Sequence, residues 1–212
     1  GKSSDSTPDS AERAAASDVE AYASLYRSMQ LEGVVNWKAF RQAVAGYNRI
    51  KEKNKPILTL IDFSKPSTEK RFFVFDMEKK KLLYSSVVAH GRNSGENYAT
   101  SFSNQYGSYK SSLGFYLTEN TYQGGNGYSL ILNGLEKGIN DKAKARSIVV
   151  HGAPYANPSV AASGRLGRSL GCPALPTKLA RPIINTIKDG SVMFIYANNP
   201  HYLAQSNILH KN

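Results

Sequence analysis

The sequence has a single cysteine, Cys172, in 212 residues. One thiol excludes a disulfide within the chain, and it excludes a zinc site built from several thiolates. Long apolar runs are also missing, because no stretch approaches the roughly 18–20 apolar residues that a membrane helix needs. Two roles remain for Cys172, an inert buried side chain or a reactive thiol, and its sequence neighbours decide which one we predict.

Acidic residues are scarce as well. The chain has 16 Asp and Glu against 27 Lys and Arg, and its formal net charge is +11. Such a charge attracts polyanions, which include nucleic acids, anionic membranes and anionic cell-wall polymers. No helix-turn-helix, zinc-finger or RNP-like pattern is present, so the sequence does not favour nucleic acid as a partner. We interpret the dispersed basic residues as a source of solubility and of diffuse attraction to an anionic partner.

The sequence does not begin with methionine, and its first residues, Gly1-Lys2-Ser3-Ser4, are typical of a trimmed or processed start. An export signal or a lipid anchor that had been removed would leave no trace in these residues. The compartment is therefore inferred from the function.

Composition predicts four parts along the chain. Residues 1–16 are rich in Ser, Ala and Asp without apolar periodicity, which predicts a disordered tail or linker. Residues 17–55 are predicted to form a helical segment, and residues 56–197 a domain made mainly of strands. Residues 198–212 are predicted to be a polar C-terminal tail.

Local signals place the secondary structure. Ser17 and Glu20 have the spacing of a capping box, which predicts a first helix from about residue 17, and Asn36 is predicted to cap a second. A late helix is predicted at Thr177–Lys188. Strands are predicted where short β-branched or aromatic stretches occur, at 57–63, 71–76, 82–89, 113–118, 128–132, 146–150 and 192–196. The predicted fold class is mainly β, with two N-terminal helices and one late helix.

The surroundings of Cys172 favour a reactive thiol. It lies in the run GRLGRSLGCPA, residues 164–174, where glycines let backbone N–H groups approach a reacting atom closely. Upstream, the strand-like run SIVVHG ends with His151 and Gly152. One Cys and one His are the elements of a thiolate–imidazolium nucleophile. In this hypothesis His151 stabilises the thiolate and later protonates the leaving amine.

Two further groups are needed by such a nucleophile. The N–H groups of Gly171 and Cys172 are predicted to point at the developing oxyanion. His151 needs a partner that fixes its tautomer, for which the backbone carbonyl of Gly152 is a candidate, with Asp141 and Asn157 as alternatives nearby in the sequence. The competing interpretation is a buried structural cysteine and a core histidine. A papain-like protease is disfavoured, because in that class the Cys precedes the His.

These residues resemble the signature of the YkuD-like L,D-transpeptidases of bacterial peptidoglycan, a His-Gly followed by Ser/Thr-x-Gly-Cys. Here the two parts are His151-Gly152 and Ser169-Leu170-Gly171-Cys172. The resemblance is greatest to the type 2 branch, the murein L,D-transpeptidase catalytic domain family, and its segments are 89–95, 102–108, 112–115, 148–153 and 164–174. It covers about residues 56–197 and leaves out the N-terminal helices.

The resemblance implies a YkuD-like β-sandwich catalytic domain that attacks the amide between the third and fourth residues of a tetrapeptide stem. Cys172 would form a thioester, the terminal D-amino acid would leave, and an amine or water would resolve the thioester. No metal or cofactor is implied. The expected partner is the peptidoglycan stem peptide, the expected location is the periplasm or cell envelope, and a monomer is expected. The alternatives are an L,D-carboxypeptidase, in which water is the main acceptor, and a catalytically silent peptidoglycan-binding domain.

Substrate-binding residues are predicted from positions where this sequence departs from the family pattern and from residues near the two motifs. Leu170 and Ala174 stand where many family members have His and Arg or Asn, so Arg165 and Arg168 are predicted to bind substrate carboxylates instead. His90 closes a strand as His151 does and is predicted to face the same site; otherwise it is a strand-end His satisfied within the protein. The Ser169 hydroxyl is predicted to hold the substrate or the oxyanion, with a simple turn role as the alternative. All four are expected to bind substrate rather than metal.

Overall fold

The computed structural model describes residues 10–210 of the chain. Eight strands form one hydrogen-bonded sheet in the order β3-β2-β1-β8-β4-β5-β6-β7. The strands are β1 Ile57–Asp62, β2 Phe72–Asp76, β3 Lys81–Ser86, β4 Gly114–Gly124, β5 Gly127–Gly134, β6 Val149–Gly152, β7 Ala174–Leu175 and β8 Val192–Tyr196. The helices are α1 Ser10–Ser28, α2 Trp37–Arg49, α3 Thr177–Ile187, α4 Pro200–Gln205 and α5 Asn207–His210, with 3₁₀ turns at Pro154–Ala156 and Pro158–Ser163.

The two edges of the sheet meet. Neighbouring strands are antiparallel except for the parallel pairs β1–β8 and β6–β7. The chain that leaves β3 forms a bridge from Ala89 to Ala174 of β7, and a second bridge joins Gly91 to Ser169. The sheet therefore curls until its first and last strands come together, and the run that contains Cys172 lies at this junction.

Helices cover the middle of the sheet. Strands β1 and β8 are buried along their whole length, as expected for strands covered on both faces. Helix α2 packs on β1 and β8, and α3 packs on β6 and β1. Within α2, Phe40 meets Phe75 edge to face at 5.5 Å, and Gly46 lets the ring of Phe115 lie directly against the helix backbone.

The predicted mainly-β class is confirmed, as is the helix capped by Asn36, whose Oδ1 accepts from the N–H groups of Lys38 and Ala39. The strand predicted at 192–196 matches β8 at both ends. Strand β4 runs on to Gly124, six residues past its predicted end, because its outer half pairs with β5 in a long hairpin.

Several boundaries differ from the predictions. Helix α1 begins at Ser10, so Ser17 and Glu20 lie inside it and do not cap it, and residues 10–16, predicted to be disordered, are helical. The predictions for residues 1–9 and 211–212 lie outside the described residues. The C-terminal segment predicted as a polar tail contains α4 and α5, and Tyr202 of α4 packs into the core.

Candidate active site

The pairing of β6 with β7 brings the motif residues together. His151 on β6 lies opposite Ala174 on β7, two residues after Cys172. The Cys172 thiol accepts a hydrogen bond from the Val149 N–H at 3.4 Å and donates to the Ser147 carbonyl at 3.6 Å. Two segments that are distant in sequence therefore meet at one sheet edge.

The Cys172 thiol is only 7 % exposed. Burial raises its pKa, and the Val149 N–H and the positive charge of Arg146 act against this rise. The thiol is therefore more weakly acidic than a cysteine in water, and its deprotonation depends on the polar groups that surround it.

His151 is buried, and its Nδ1 lies 3.0 Å from the Gly152 carbonyl. This is the contact expected from the sequence. Because a carbonyl can only accept, Nδ1 carries the proton and Nε2 is left with the lone pair, the tautomer of a base. The alternative partners are engaged elsewhere, Asp141 with Asn104 and Gly138, and Asn157 with Thr177.

Both members of the pair are neutral in this structure. Burial lowers the pKa of His151 just as it raises that of Cys172. Among residues 10–210 no hydrogen bond joins the two side chains; each bonds to backbone atoms instead. These pKa directions and contacts do not favour a preformed thiolate–imidazolium pair, the form expected from the sequence.

The turn before Cys172 is held by Ser169. The Ser169 hydroxyl donates to the Cys172 carbonyl at 2.6 Å and accepts from the Gly171 N–H at 3.1 Å. These bonds favour the turn role for Ser169, the alternative to a substrate role. The Gly171 N–H donates to the Ser169 hydroxyl in this structure, so the geometry gives no support to its predicted role toward an oxyanion. The Cys172 N–H remains the oxyanion donor predicted from this turn.

The glycines at 171 and 152 have different roles. Gly171 has a φ of +129°, and a Cβ there would lie 2.8 Å from Ile148 Cδ1 and 3.0 Å from the Lys110 carbonyl. Any other residue would move the turn that carries the thiol. At Gly152 a Cβ would lie 2.7 Å from that of Ala180, so this glycine lets α3 pack closely on β6.

The two predicted substrate arginines are held by the protein itself. Arg168 Nη1 lies near the carbonyls of Arg92 at 2.9 Å and Gly95 at 3.3 Å, and it pairs with Glu96 at 3.2 Å. Arg165 pairs with the same carboxylate and with the Leu166 carbonyl. A guanidinium in this run could either brace the loop or bind a substrate carboxylate. The contacts of Arg168 favour the bracing role.

His90 is a structural histidine in this fold, contrary to its prediction as a substrate residue. It is 1 % exposed, its Nδ1 accepts from Arg71 Nη2 at 2.8 Å, and its Nε2 donates to the Gly95 carbonyl at 3.1 Å. Burial and the Arg71 charge lower its pKa to about 4. With both nitrogens used and no surface exposed, it has nothing to offer a substrate.

Three residues near the site carried no sequence signal. Arg146 lies just before β6, the pKa of Tyr155 is raised to about 12 by burial and by the Cys172 charge, and Glu96 pairs with both arginines. Arg146 and Glu96 are ordinary charged residues of loops in the sequence, and only the tertiary fold brings them to this junction.

A cavity of about 260 Å³ opens beside the thiol's backbone partners Ser147 and Val149. Its other lining residues are Tyr122, Ile131, Lys144 and Ile148. Leu170 is 57 % exposed and lies within residues 169–172, the turn that carries the candidate nucleophile and that we call the nucleophile turn. This cavity is thus lined by apolar side chains and by the cationic Lys144, which pairs with Glu119 at 2.7 Å.

No helix between Ser10 and His210 combines the length and apolar character needed to cross a membrane. Across the same described residues, no group of three or more His, Cys, Asp and Glu side chains is placed to hold a metal ion.

Solved structures of two L,D-transpeptidases and of one further protein are similar to this chain at low identity. An enzyme from Mycobacterium smegmatis is 13 % identical with a TM-score of 0.42, over 67 % of this chain and 59 % of its own. L,D-transpeptidase 3 from Mycobacterium tuberculosis is 14 % identical with a TM-score of 0.43, and the match covers 66 % of this chain and 61 % of that enzyme. The helical cell shape determining protein Pgp2 from Campylobacter jejuni is 15 % identical with a TM-score of 0.45, and the match covers 73 % of this chain and 54 % of Pgp2. The chain thus spans less than two thirds of the length of these proteins. No curated protein sequence matches significantly.

A family model described as the L,D-transpeptidase catalytic domain, YkuD type 2, matches residues 31–196. The match begins ahead of α2 and so includes a helix that the sequence motifs did not cover. It also contains His151 and the whole nucleophile turn. Since it extends over more than half of the chain, this protein belongs to the L,D-transpeptidase catalytic domain family.

Proposed function

We propose that this protein is a cysteine-dependent L,D-transpeptidase that acts on peptidoglycan stem peptides outside the cytoplasm. The single observation that carries the proposal is the pairing of β6 with β7, which brings His151 and Cys172 to one edge of the sheet. Membership of the family supports the reaction class. The positive net charge of +11 suits an acidic stem peptide.

Acylation begins with neutral partners. Nε2 of His151 removes the Cys172 proton as the sulfur attacks the amide carbonyl, and the Cys172 N–H faces the developing oxyanion. The tetrahedral intermediate collapses with cleavage of the C–N bond. The imidazolium returns its proton to the leaving D-amino acid, and a thioester remains on the sulfur.

Deacylation reverses these roles. An acceptor amine attacks the thioester carbonyl and passes a proton to His151. The C–S bond then breaks, and the imidazolium returns this proton to the leaving sulfur, which regenerates the thiol. A side-chain amine of a second stem gives a cross-link, and water gives a shortened stem. His151 suits both acylation and deacylation, because the Gly152 carbonyl keeps the proton on Nδ1 and leaves Nε2 to carry the transferred proton.

The test is turnover of a purified tetrapeptide stem by the wild type and Cys172→Ala, with products identified by mass spectrometry. We expect the wild type to release the terminal D-amino acid and the variant to show no turnover above background, because the whole covalent route is lost. Matching melting curves would establish that the variant is folded. Turnover by a folded Cys172→Ala protein would contradict the proposal, and a wild type that binds the stem without turnover would indicate a silent binding domain.

Replacing the base gives a second prediction. His151→Ala is expected to lower turnover by roughly 10²–10⁴-fold, the usual contribution of a positioned acid–base group. The pH profile of Cys172 alkylation by iodoacetamide is expected to move little, because no hydrogen bond links the two side chains in the resting state. Wild-type turnover in this variant would remove His151 from the mechanism.

A further inference from the structure

The connection between β3 and β4 is long, and Arg146 is one of the residues that hold it in place. Residues 92–113 contain neither helix nor strand. Arg146 makes four hydrogen bonds to them, from Nη1 to the Ser103 carbonyl and Ser112 Oγ, and from Nη2 to Ser108 Oγ and the Lys110 carbonyl, at 2.8–3.1 Å. Such a planar fork holds its acceptors in a fixed geometry. The segment 103–112 is thus held by this guanidinium together with the bonds of Asn104 to Asp141 and Lys142, and we call it the tethered loop.

The tethered loop also contacts the nucleophile turn. Ser111 Oγ donates to the Gly171 carbonyl at 3.1 Å and accepts from the Gly91 N–H at 3.0 Å. A Cβ placed on Gly171 would lie 3.0 Å from the Lys110 carbonyl and 3.6 Å from Arg146 Nη2. The guanidinium therefore lies against the backbone of the residue that precedes Cys172.

Arg146 approaches the thiol from a second direction. It directly precedes Ser147, whose carbonyl accepts from the thiol and whose φ is +59°, a left-handed conformation rare for serine. This turn sends the chain from the guanidinium into β6 beside the sulfur. One cation is thereby fixed by the tethered loop, the nucleophile turn and the start of β6 together.

Two other titratable groups near the thiol, His151 and Tyr155, have pKa values shifted toward their neutral forms. Burial lowers the pKa of His151 on β6, and burial with the Cys172 charge raises the pKa of Tyr155 in the 3₁₀ turn to about 12. Arg146 is the charged group whose effect lowers the pKa of Cys172. An opposite charge at close range favours the ionised form of a thiol.

We propose that Arg146 is a positioning residue for the reaction, which locks the tethered loop onto the nucleophile turn and supplies the positive charge that stabilises the Cys172 thiolate. This inference rests on the proposed role of Cys172 as nucleophile. The sequence motif predicts that His151 stabilises the Cys172 thiolate. The proposal assigns this role to Arg146 and leaves His151 to transfer the proton.

The test is the rate of iodoacetamide alkylation of Cys172 against pH, in the full chain. Arg146→Gln is expected to raise the apparent pKa by about 1 unit, the lower end of what a close opposite charge produces. At a pH below the Cys172 pKa of both the wild type and the variant, alkylation of the variant would then be about tenfold slower. Arg146→Lys keeps the charge and should restore most of this shift. Arg49→Gln is the matched control, because Arg49 also donates to two carbonyls, of Ile208 and Leu209, at 2.8 Å.

A double variant, Ser108→Ala with Ser112→Ala, separates the tether from the charge. It removes two of the loop's four hydrogen-bonding partners of Arg146 and leaves the guanidinium in place. We expect faster hydrogen exchange in residues 103–112 and a smaller pKa change than in Arg146→Gln. This variant and Arg146→Lys keep the proposal testable if Arg146→Gln does not fold.

Two results would overturn the proposal. One is an alkylation profile of Arg146→Gln that superimposes on that of the wild type. The other is an equal shift of the Cys172 pKa in Arg146→Gln and in Arg146→Lys. Neither depends on turnover, since alkylation reports on the thiol alone. Failure of the proposed function would appear separately, as peptide turnover by Cys172→Ala.

Discussion

At the scale of single residues, burial decides the chemistry near the nucleophile turn. His90, which follows β3, and His151 on β6 are both buried, yet their partners differ. His90 uses one nitrogen to accept from Arg71 and the other to donate to Gly95. The hydrogen bond recorded for the His151 ring is to the Gly152 carbonyl, through Nδ1. The first histidine is thereby a structural element, and the second keeps a nitrogen for proton transfer.

The depressed pKa of His90 predicts a specific acid sensitivity. Its folded value is about 4 against an ordinary 6.5, so the unfolded chain binds more protons between these values. Stability from this residue is present above pH 6.5 and is lost as the pH falls toward 4. The loss amounts to about 3 kcal/mol. His90→Gln, which still has a donor and an acceptor, should flatten the fall of the melting temperature over this interval.

The control for this measurement is His201→Gln, since His201 lies exposed on α4. Its stability profile should follow that of the wild type. An unchanged slope in His90→Gln between pH 6.5 and 4 would contradict the assignment of the acid sensitivity to His90.

At the scale of elements, local signals identified those parts that are stabilised locally. β8 was predicted at its observed bounds, because the run VMFIY is apolar throughout and a Gly precedes it. Asn36 as a cap was likewise predictable, because the cap is formed within three residues. The two-residue β7 was not predictable, since it exists only through its pairing with β6 and its bridge to Ala89. The capping box at Ser17 was overridden, because the helix that contains it starts upstream.

The loop around Glu96 gives a prediction at this scale. Arg168→Ala removes contacts of one Nη to Arg92, Gly95 and Glu96, so we expect it to free the loop that leads into the nucleophile turn. Peptide turnover and Cys172 alkylation should fall together, with a loss of about 1–3 kcal/mol in the free energy of unfolding. Both rates and the melting curve are measured on one preparation.

Arg181→Ala provides the comparison, because Arg181 lies over the Tyr128 ring at 4.0 Å on α3, outside this loop. We expect Arg181→Ala to leave the alkylation rate unchanged. A rise in KM for an acidic stem peptide in Arg168→Ala, with alkylation and melting unchanged, would instead return Arg168 to the role of a carboxylate-binding residue.

At the scale of the whole molecule, closure of the sheet builds the candidate site. The Ala89–Ala174 bridge joins the chain that leaves β3 to the last strand of the sheet, β7, and the tethered loop, the nucleophile turn and β6 meet there. The Cys172 and His151 motif was readable from sequence, because it lies in two short runs. Arg146 and Glu96 were not, because their contacts join residues 34 and 72 positions apart in the sequence, which only the fold brings together. The Ser169–Cys172 bond spans three residues, and the turn role of Ser169 was one of the two roles that the sequence left open.

The most direct test of the account is to trap the acyl-enzyme. Wild-type protein is mixed with a tetrapeptide stem and quenched in acid, and intact-mass analysis with peptide mapping locates any adduct. We predict a thioester on Cys172 whose mass is that of the stem without its terminal D-amino acid, and no adduct on a folded Cys172→Ala variant. Release of the D-amino acid with the acyl group on another residue, or an equal adduct on the variant, would contradict the central claim.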